Sequence, residues 1–534
     1  MPVTYNLLSV DVIKEVNRIP KAQIMLQDGS ASQQMFEISN TTFFQPGAEI
    51  EIQLQDVTVF KGIVVKHRVK SDRQKNSVLI VDLEDAAIAL ARERKNAIFQ
   101  NNTDNAVMKE IVGATTGLTA GTFAATKPTH VEMVQFYCTD WDFILSRAEA
   151  NGLWVTVDDG TVGAIAPSLS GRPKHTFEYG ISPINDFELE IDIRHQHGAI
   201  ESTTWDIATQ QLASPQAAAE VSPGQGKLKP ADLAKAIGAA QCDLVLVNDL
   251  TPEEAKAWAD AAMTKSRLSM FKGRFSSPGF ADIKPGEMME ILGIGDRFNG
   301  TTLVTAIRHQ VNNMGWKTEV QFGLSAAWFS QTPDIRDTPA AGLVPAINGL
   351  QVGIVDTYVD DPDGKLRVRV KVPALTKTTG KVKDGLVWAR LLALDAGLAS
   401  DGKGRGTCFR PEPNDEVILG FLNDDPRQAV ILGAVYSEKN PTPWPVAEEN
   451  SFKGIVSREN LKVYFNDKQK AIFIETPGQN RVILTDEDGA IYITDANNNQ
   501  IVMDGNGIKL TSDADIAIEA KGSVTIKGEK VDVN

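Results

Sequence analysis

From Val482 onward the sequence repeats a short pattern of apolar pairs at i and i+2: Val482/Leu484, Ile491/Ile493, Ile501/Met503, Ile508/Leu510, Ile516/Ile518, Val524/Ile526 and Val531/Val533. First members are separated by nine, ten, seven, eight, eight and seven residues. Such a unit is too short for a helix hairpin, and i, i+2 spacing places both side chains on one face of an extended strand. Each unit therefore reads as one short strand plus a corner. Around Ile508 and beyond, the opposite face carries Lys509, Asp515, Ala517, Glu519, Thr525 and Lys527, all polar or small.

A stripe only two residues wide cannot enclose a dry core within one chain. Three copies wound about a common axis solve this, each chain supplying a strand to every face in turn so that the apolar pairs meet centrally. Seven units then give seven strands per face and a rod of about 30 to 35 Å at roughly 4.7 Å per strand. The trimer core is expected at Ile491, Ile493, Ile501, Met503, Ile508, Leu510, Ile516, Ile518, Val524, Ile526, Val531 and Val533. The alternative, a monomeric β-solenoid, calls for longer coils and wider stripes.

The remainder is long enough for several domains, since the chain has 534 residues and single cores stop growing well below that size. Its 69 Asp+Glu against 54 Lys+Arg give a net charge of -15, which disfavours nucleic acid or anionic lipid as the main partner. Cys138, Cys242 and Cys408 are far apart and odd in number, as expected of reduced thiols in a protein made in the cytoplasm. "MPVTYNLLSVDVIKEV" lacks a basic segment followed by an apolar run, so no signal peptide is expected. Nor does any apolar run approach the twenty residues of a membrane span.

Alternating segments such as "AEIEIQLQD" and "GIVVKHRVKS" mark strands in the first 80 residues. "TDWDFILSRAEANG" reads as a helix with Trp141, Ile144, Leu145 and Ala148 on one face and a capping box at Thr139 and Asp142. "TPEEAKAWADAAM" opens a second helix at Thr251. Between them, residues 200–250 are proline-rich and small, and read as a surface excursion or loop. An internal echo relates "QPGAEIEIQL" and "FKGIVVKHRV" to "KPGEMMEILG" and "FNGTTLVTAIRHQV", matching Pro46-Gly47 with Pro285-Gly286 and His67 with His309. The expected organisation is mainly β: a hub β-barrel with a helical insertion (1–200), a related second hub barrel (201–335), a linker (336–349), a small closed OB-fold barrel (350–440), a connector (441–459) and a trimeric β-helix (460–534).

"QFYCTDWDFILSRAEANGLWV", "IKPGEMMEILG", "DDPDGKLRVRVKVP", "GKGRGTCFRPEPNDEVILGFLNDDPRQAVILGAVY" and the tail, in this order, resemble the spike-hub proteins of contractile injection machines. These are the VgrG family, phage baseplate hubs and extracellular particles of the antifeeding-prophage and Photorhabdus virulence cassette kind. The resemblance implies a homotrimer whose paired barrels form a pseudo-sixfold ring on a hexameric inner tube, with baseplate proteins at the hub. It further implies a PAAR-like tip protein at the C-terminal end, effector cargo, and a target membrane pierced mechanically. The chain departs from many type VI members in lacking an aromatic-His-Trp run after "DDPDG" and in its excursion at 205–250. Its short tail leans toward a released, phage tail-like particle. Only residues 441–459 separate OB barrel and prism, too few for the lysozyme domain of the phage needle.

No catalytic, cofactor or metal site is expected. His195 and His197 have strand spacing for two ligands but lack a further Cys or carboxylate set beyond Asp192. "DGKGRGTC" lacks the order of a phosphate-binding loop, and Asp360, Asp361 and Asp363 lack the distal Glu of an EF-hand, so both read as turns. His67 and His309 are expected as capped or half-buried residues, and Trp141, Trp154, Trp316 and Trp388 as core. The rival reading is a trimeric phage-type tail protein that binds or degrades surface polysaccharide.

Overall fold

The structure, a computed structural model, describes residues 5–72, 77–248, 250–332, 335, 337–377 and 384–533. Residues 1–4, 73–76, 249 and 333–334 of the expected hub spans, Arg336 of the linker, 378–383 of the OB span and Asn534 of the tail lie outside these. The chain divides into two compact units, residues 1–337 and 338–534.

In the first unit the echo becomes a repeated three-strand meander. Strands β3 (Glu49–Leu54), β4 (Val57–Ser71) and β5 (Ser77–Glu84) form one copy. Strands β6 (Met288–Leu292), β7 (Gly300–Asn312) and β8 (Gly315–Phe322) form the other. Each is entered by a Pro-Gly turn whose glycine has φ near +90°, Gly47 at 91° and Gly286 at 92°, a conformation that costs glycine nothing. Both glycine amides donate to the second strand of their meander, Gly47 to the Val64 carbonyl at 2.8 Å and Gly286 to the Val304 carbonyl at 2.7 Å. The two copies join through β1 (Leu7–Glu15), which pairs with β7 on one side and β2 (Lys21–Gln27) on the other. Adding His175–Glu178, Asp186–Ile191 and Phe271–Pro278 makes one 11-stranded sheet with two lobes. Val12, Leu26, Phe60 and Leu83 are buried in one core, and Phe275, Met289, Ile307 and Val320 in the other.

Helices α1 (Asp104–Ala114) and α2 (Asp140–Ala150) pack over a third core containing Val107, Met108, Ile144, Leu145 and Val155. The Thr139 hydroxyl accepts the Asp142 amide at 3.0 Å, the cap expected from sequence. Fully buried Asp104 holds α1 against α2: its carboxylate accepts from Arg147 Nε at 2.5 Å and from Asn151 Nδ2 at 2.9 Å. Burial alone pushes this carboxyl up, but Arg147 wins and the group stays below its usual range.

The excursion is not a loop. Ala199–Asp206 runs parallel to Gln241–Leu246, with α3 (Pro230–Ala236) between them in sequence, and packs on α4 (Pro252–Leu268). Its inward positions are Ile200, Ser202 and Thr204, so one aliphatic and two hydroxyls replace the usual apolar alternation. Ser202 donates to the Ala255 carbonyl at 2.6 Å. The proline-rich stretch is pinned by Arg267, which is completely buried and pairs with Glu220 at 2.9 Å.

In the second unit β9 (Gln351–Thr357), β10 (Val368–Lys371), β11 (Leu386–Leu391), β12 (Glu416–Phe421) and β13 (Ala429–Ala434) close into a barrel in the order β9-β10-β11-β13-β12. Val355, Val370, Val417, Leu419 and Ile431 fill it. Trp388 is not among them. It lies half-buried on the outer face, with Arg367 and Arg369 stacked over its ring at 5.9 and 5.8 Å. A two-residue alternation names the two faces of a strand but not which one a barrel encloses.

Candidate functional site: the apolar face of the tail

The tail begins earlier than its repeat suggests, at Phe452 inside the stretch read as a connector. Strands β14 (Phe452–Val456), β15 (Lys462–Asn466), β16 (Ala471–Glu475), β17 (Arg481–Thr485), β18 (Ala490–Thr494), β19 (Gln500–Asp504) and β20 (Gly507–Thr511) form one sheet in sequence order. Every neighbouring pair is antiparallel. Here the expectation that each strand passes to a different face of the rod is corrected: over residues 452–511 one chain builds a whole face by pairing with itself.

The registers align the apolar pairs into two adjacent columns. One contains Phe465, Ile472, Leu484, Ile491, Met503 and Ile508; the other Val463, Ile474, Val482, Ile493, Ile501 and Leu510. The sequence repeat, counted from Val482, missed the members on β15 and β16, although "KVYFN" and "AIFIE" carry the same spacing. The opposite face has one apolar column, in which Tyr464 stacks on Phe473 at 4.7 Å, flanked by polar positions such as Glu475 and Arg481, paired at 3.5 Å. The two-column face is therefore the one that lacks a cover. An open groove of about 610 Å³ runs along Ile474, Val482, Ile493, Ile501 and Leu510, with Asn480, Asp495 and Asn499 at its margin.

Within the single chain these aliphatic groups are left partly in water, up to 71% for Ile508. Burying an aliphatic side chain is worth about 1.5–3 kcal/mol, so a column of half-covered residues is a large unsatisfied driving force. After Thr511 the rhythm continues through Ile516, Ile518, Val524, Ile526, Val531 and Val533, all exposed, with no strand partner among the described residues. Ordering such a segment costs about 1–2 kcal/mol per residue in backbone entropy alone, and the single chain supplies no backbone ladder to offset it. Both parts of the tail are incomplete without further copies.

The other sequence candidates are accounted for within the hub and barrel. His197 is half-buried, its imidazole kept below its usual range by burial, then by Arg267 and His195. Arg267 also donates to the His197 carbonyl at 2.9 Å. Asp192 turns to Arg194 at 2.6 Å instead of to either histidine. His309 is buried against Thr318 at 3.1 Å, and burial pushes it down to about 4. His67 bridges Ser39 at 2.7 Å and the Phe44 carbonyl at 3.0 Å. Asp361 binds the Arg367 guanidinium at 2.6 Å and accepts the amides of Lys365 and Arg367 at 3.0 Å each. Its carboxyl is consequently far below its usual range, led by the Arg367 contact, and the turn has its cation already. Asp401–Cys408 forms the tip and return strand of a hairpin. Among the described residues no three His, Cys, Asp or Glu side chains converge as a metal set, and no helix is long and apolar enough to cross a membrane.

Three families match the chain in series. The Alg8 N-terminal domain covers residues 1–313, the type VI secretion system/phage-baseplate injector OB domain residues 351–436, and the phage baseplate V C-terminal trimerisation domain residues 471–534. No curated protein matches. Among solved structures, a tail protein from Neisseria meningitidis MC58 is 14% identical at a TM-score of 0.45, covering 62% of this chain and 95% of its own. The E. coli c3393 protein, described as a type VI secretion component similar to T4 bacteriophage gp27 and gp5, is 14% identical at 0.39, covering 81% and 97%. A Francisella PdpA-VgrG complex gives 7% identity at 0.38, covering 95% and 84%. The last of the three family matches is a trimerisation domain, and it spans most of the tail that carries the bare face. Matched over more than half its length by the first, and over its barrel and tail by the other two, the chain belongs to the Alg8 N-terminal domain family and is a homotrimeric spike- or baseplate-hub-like protein of the phage-tail and type VI secretion type.

Proposed function

We propose that three copies form the central spike-hub of a contractile injection particle. The observation that carries this is the chain order: a duplicated hub meander, a baseplate OB barrel, then a self-incomplete trimerising tail. Two related meanders per chain, taken three times, supply six similar units, the number needed to seat a trimer on a hexameric inner tube. The tail forms a stiff rod because its strands are cross-linked by a continuous hydrogen-bond ladder. It transmits thrust to a target membrane and presents its end, with exposed Val531 and Val533, to a PAAR-like tip protein and any cargo. The chain itself performs no chemistry in this reading. It is assembled into a phage tail-like particle that is then released.

Electron microscopy of particles from the producing cell, with the chain tagged by antibody, tests the assignment. Label at the baseplate end of a sheathed tube is expected, and label absent from sheathed particles overturns it. Purified trimer is expected to lack muramidase and depolymerase activity. Robust turnover would favour a polysaccharide-degrading tail protein instead.

A further inference from the structure

The likeness of the hub's two lobes extends beyond the meander. Past β5 the sheet continues into β2 and then β1; past β8 it continues into Phe271–Pro278 and then Asp186–Ile191. Both lobes thus share one order of five strands, and both meanders shift register at the same place, between Val64 and Lys66 and between Val304 and Ala306. That shift aligns the lobes residue by residue. Arg68 corresponds to Arg308, and Val69, instead of the His67 matched by the letters, to His309. Across the sheet Gln23 corresponds to Arg274, Asp11 to Glu188 and Val10 to Phe187.

One joint between lobes is formed within the chain. The first half of β7 pairs with β6, and the second half pairs with β1, from Val10 opposite Val311 to Glu15 opposite Ala306. Arg308 Nε donates to Asp11 there at 2.9 Å. The counterparts of these two strands are left open at opposite ends of the sheet. Asp186–Ile191, the counterpart of β1, is an edge strand, and past Val64 the β4 strand, counterpart of β7, pairs only with β5 among the described residues. Phe187 is 42% and Val69 45% exposed, where their counterparts Val10 and His309 are 7% and 5%.

The β1–β7 register, carried over to the open strands, sets Glu188 opposite Lys70, Leu189 opposite Val69 and Glu190 opposite Arg68. Two opposite-charge pairs then flank an apolar pair, a favourable cross-strand arrangement. Within the chain these groups have only loose partners: Arg274 at 3.4 Å from Glu188, Lys272 at 3.8 Å from Glu190 and Asp82 at 3.8 Å from Arg68. The remaining edge of the sheet, β3, offers Glu49 and Glu51, and pairing either open strand with its own copy sets like charges together, which is destabilising. Charge and register therefore select the same partner.

We propose that Asp186–Ile191 of each chain adds to the second half of β4 in the neighbouring copy, in the register that β1 keeps on β7. Three such joints between chains alternate with the three within chains, and a head-to-tail contact of this kind closes under threefold symmetry. This rests on the trimer reading, so sedimentation of the purified full-length chain comes first. In that trimer, amides of residues 186–191 should exchange on the order of tenfold slower than an unprotected peptide. Arg68→Glu with Lys70→Glu should return them to fast exchange while the tail keeps the trimer mass, and adding Glu188→Lys with Glu190→Arg should make them slow again. Separately, Lys70→Cys with Glu188→Cys should link the three chains covalently on mild oxidation, and neither substitution alone should. A trimer whose 186–191 amides exchange as a free peptide does overturns the joint alone. So does protection that appears only inside whole particles, which assigns the edge to a different protein. Protection that survives the charge reversal, or an absent cross-link, overturns β4 as the partner. A chain that sediments only as a monomer overturns joint and trimer together.

Discussion

Residues 452–511 and 512–533 carry the same apolar rhythm and end in different structures. In the first segment the chain folds back on itself six times, and each reversal holds a residue with positive φ: Asn460 at 59°, Lys470 at 47°, Gln479 at 67°, Gly489 at 58° and Asn498 at 65°, with Gly507 at 121° closing the last turn. In the second, no described residue has positive φ, and Gly522 and Gly528 do not use their freedom. A tight reversal of a right-twisted strand pair calls for left-handed residues in its turn. Without them the strand continues forward and must find its ladder on another chain. One periodicity thus serves two assembly modes, a self-paired sheet that needs partners only for its face and a wound segment that needs them for its backbone as well.

The sharpest way to break this contrast is amide exchange in the assembled trimer and in chain diluted to monomer. Residues 512–533 should differ on the order of a hundredfold, because their whole ladder is lost, while 452–511 change much less, their own hairpins persisting. Slow exchange of 512–533 in a monomer would remove the distinction. Next in size, Ile493→Asp puts three carboxylates on the apolar axis and should cost roughly 3 kcal/mol or more per chain. Sedimentation should then show monomer, and a surviving trimer would mean that this face looks outward. Gly489→Ala tests the turns: a Cβ there meets no atom within 4 Å, so its cost of about 1 kcal/mol is purely conformational and should appear as a lowered Tm. Smallest is Gly522→Ala, where a Cβ likewise meets nothing and φ is ordinary. The change should lie within about 0.5 kcal/mol of zero. Equal losses at the two glycines would show that both segments depend on left-handed turns.

Much of this architecture was legible because it is written in periodicities. The barrel hairpins around "DDPDG" and "LNDDPRQ", the capped helix at Thr139 and the doubled Pro-Gly meander all announce themselves through alternation or turn chemistry. The excursion did not, since its inward positions are Ser202 and Thr204 and its anchor is one buried arginine, Arg267. Those are tertiary facts with no local signature. Trp388 misled in the opposite sense: an aromatic in an alternating strand suggests core, yet its ring serves as a platform for Arg367 and Arg369 on the outside. In the tail, the shift of repeat spacing from nine and ten residues to seven and eight was visible in the letters. It coincides with the passage from hairpins to winding, although the one seven-residue step that still folds back does so through "DGNG".

Sequence alone determined which side chains share a face in this protein, because a strand places alternate residues on opposite sides whatever it pairs with. It thereby determined that the tail has an apolar stripe too narrow for one chain to hide. Which backbone lies beside which was settled only by the tertiary structure. Peptide N–H and C=O groups are identical at every residue, so a ladder carries no address of its own. The address comes from the turns, where a few left-handed residues send the chain back to itself and their absence sends it on to its neighbours.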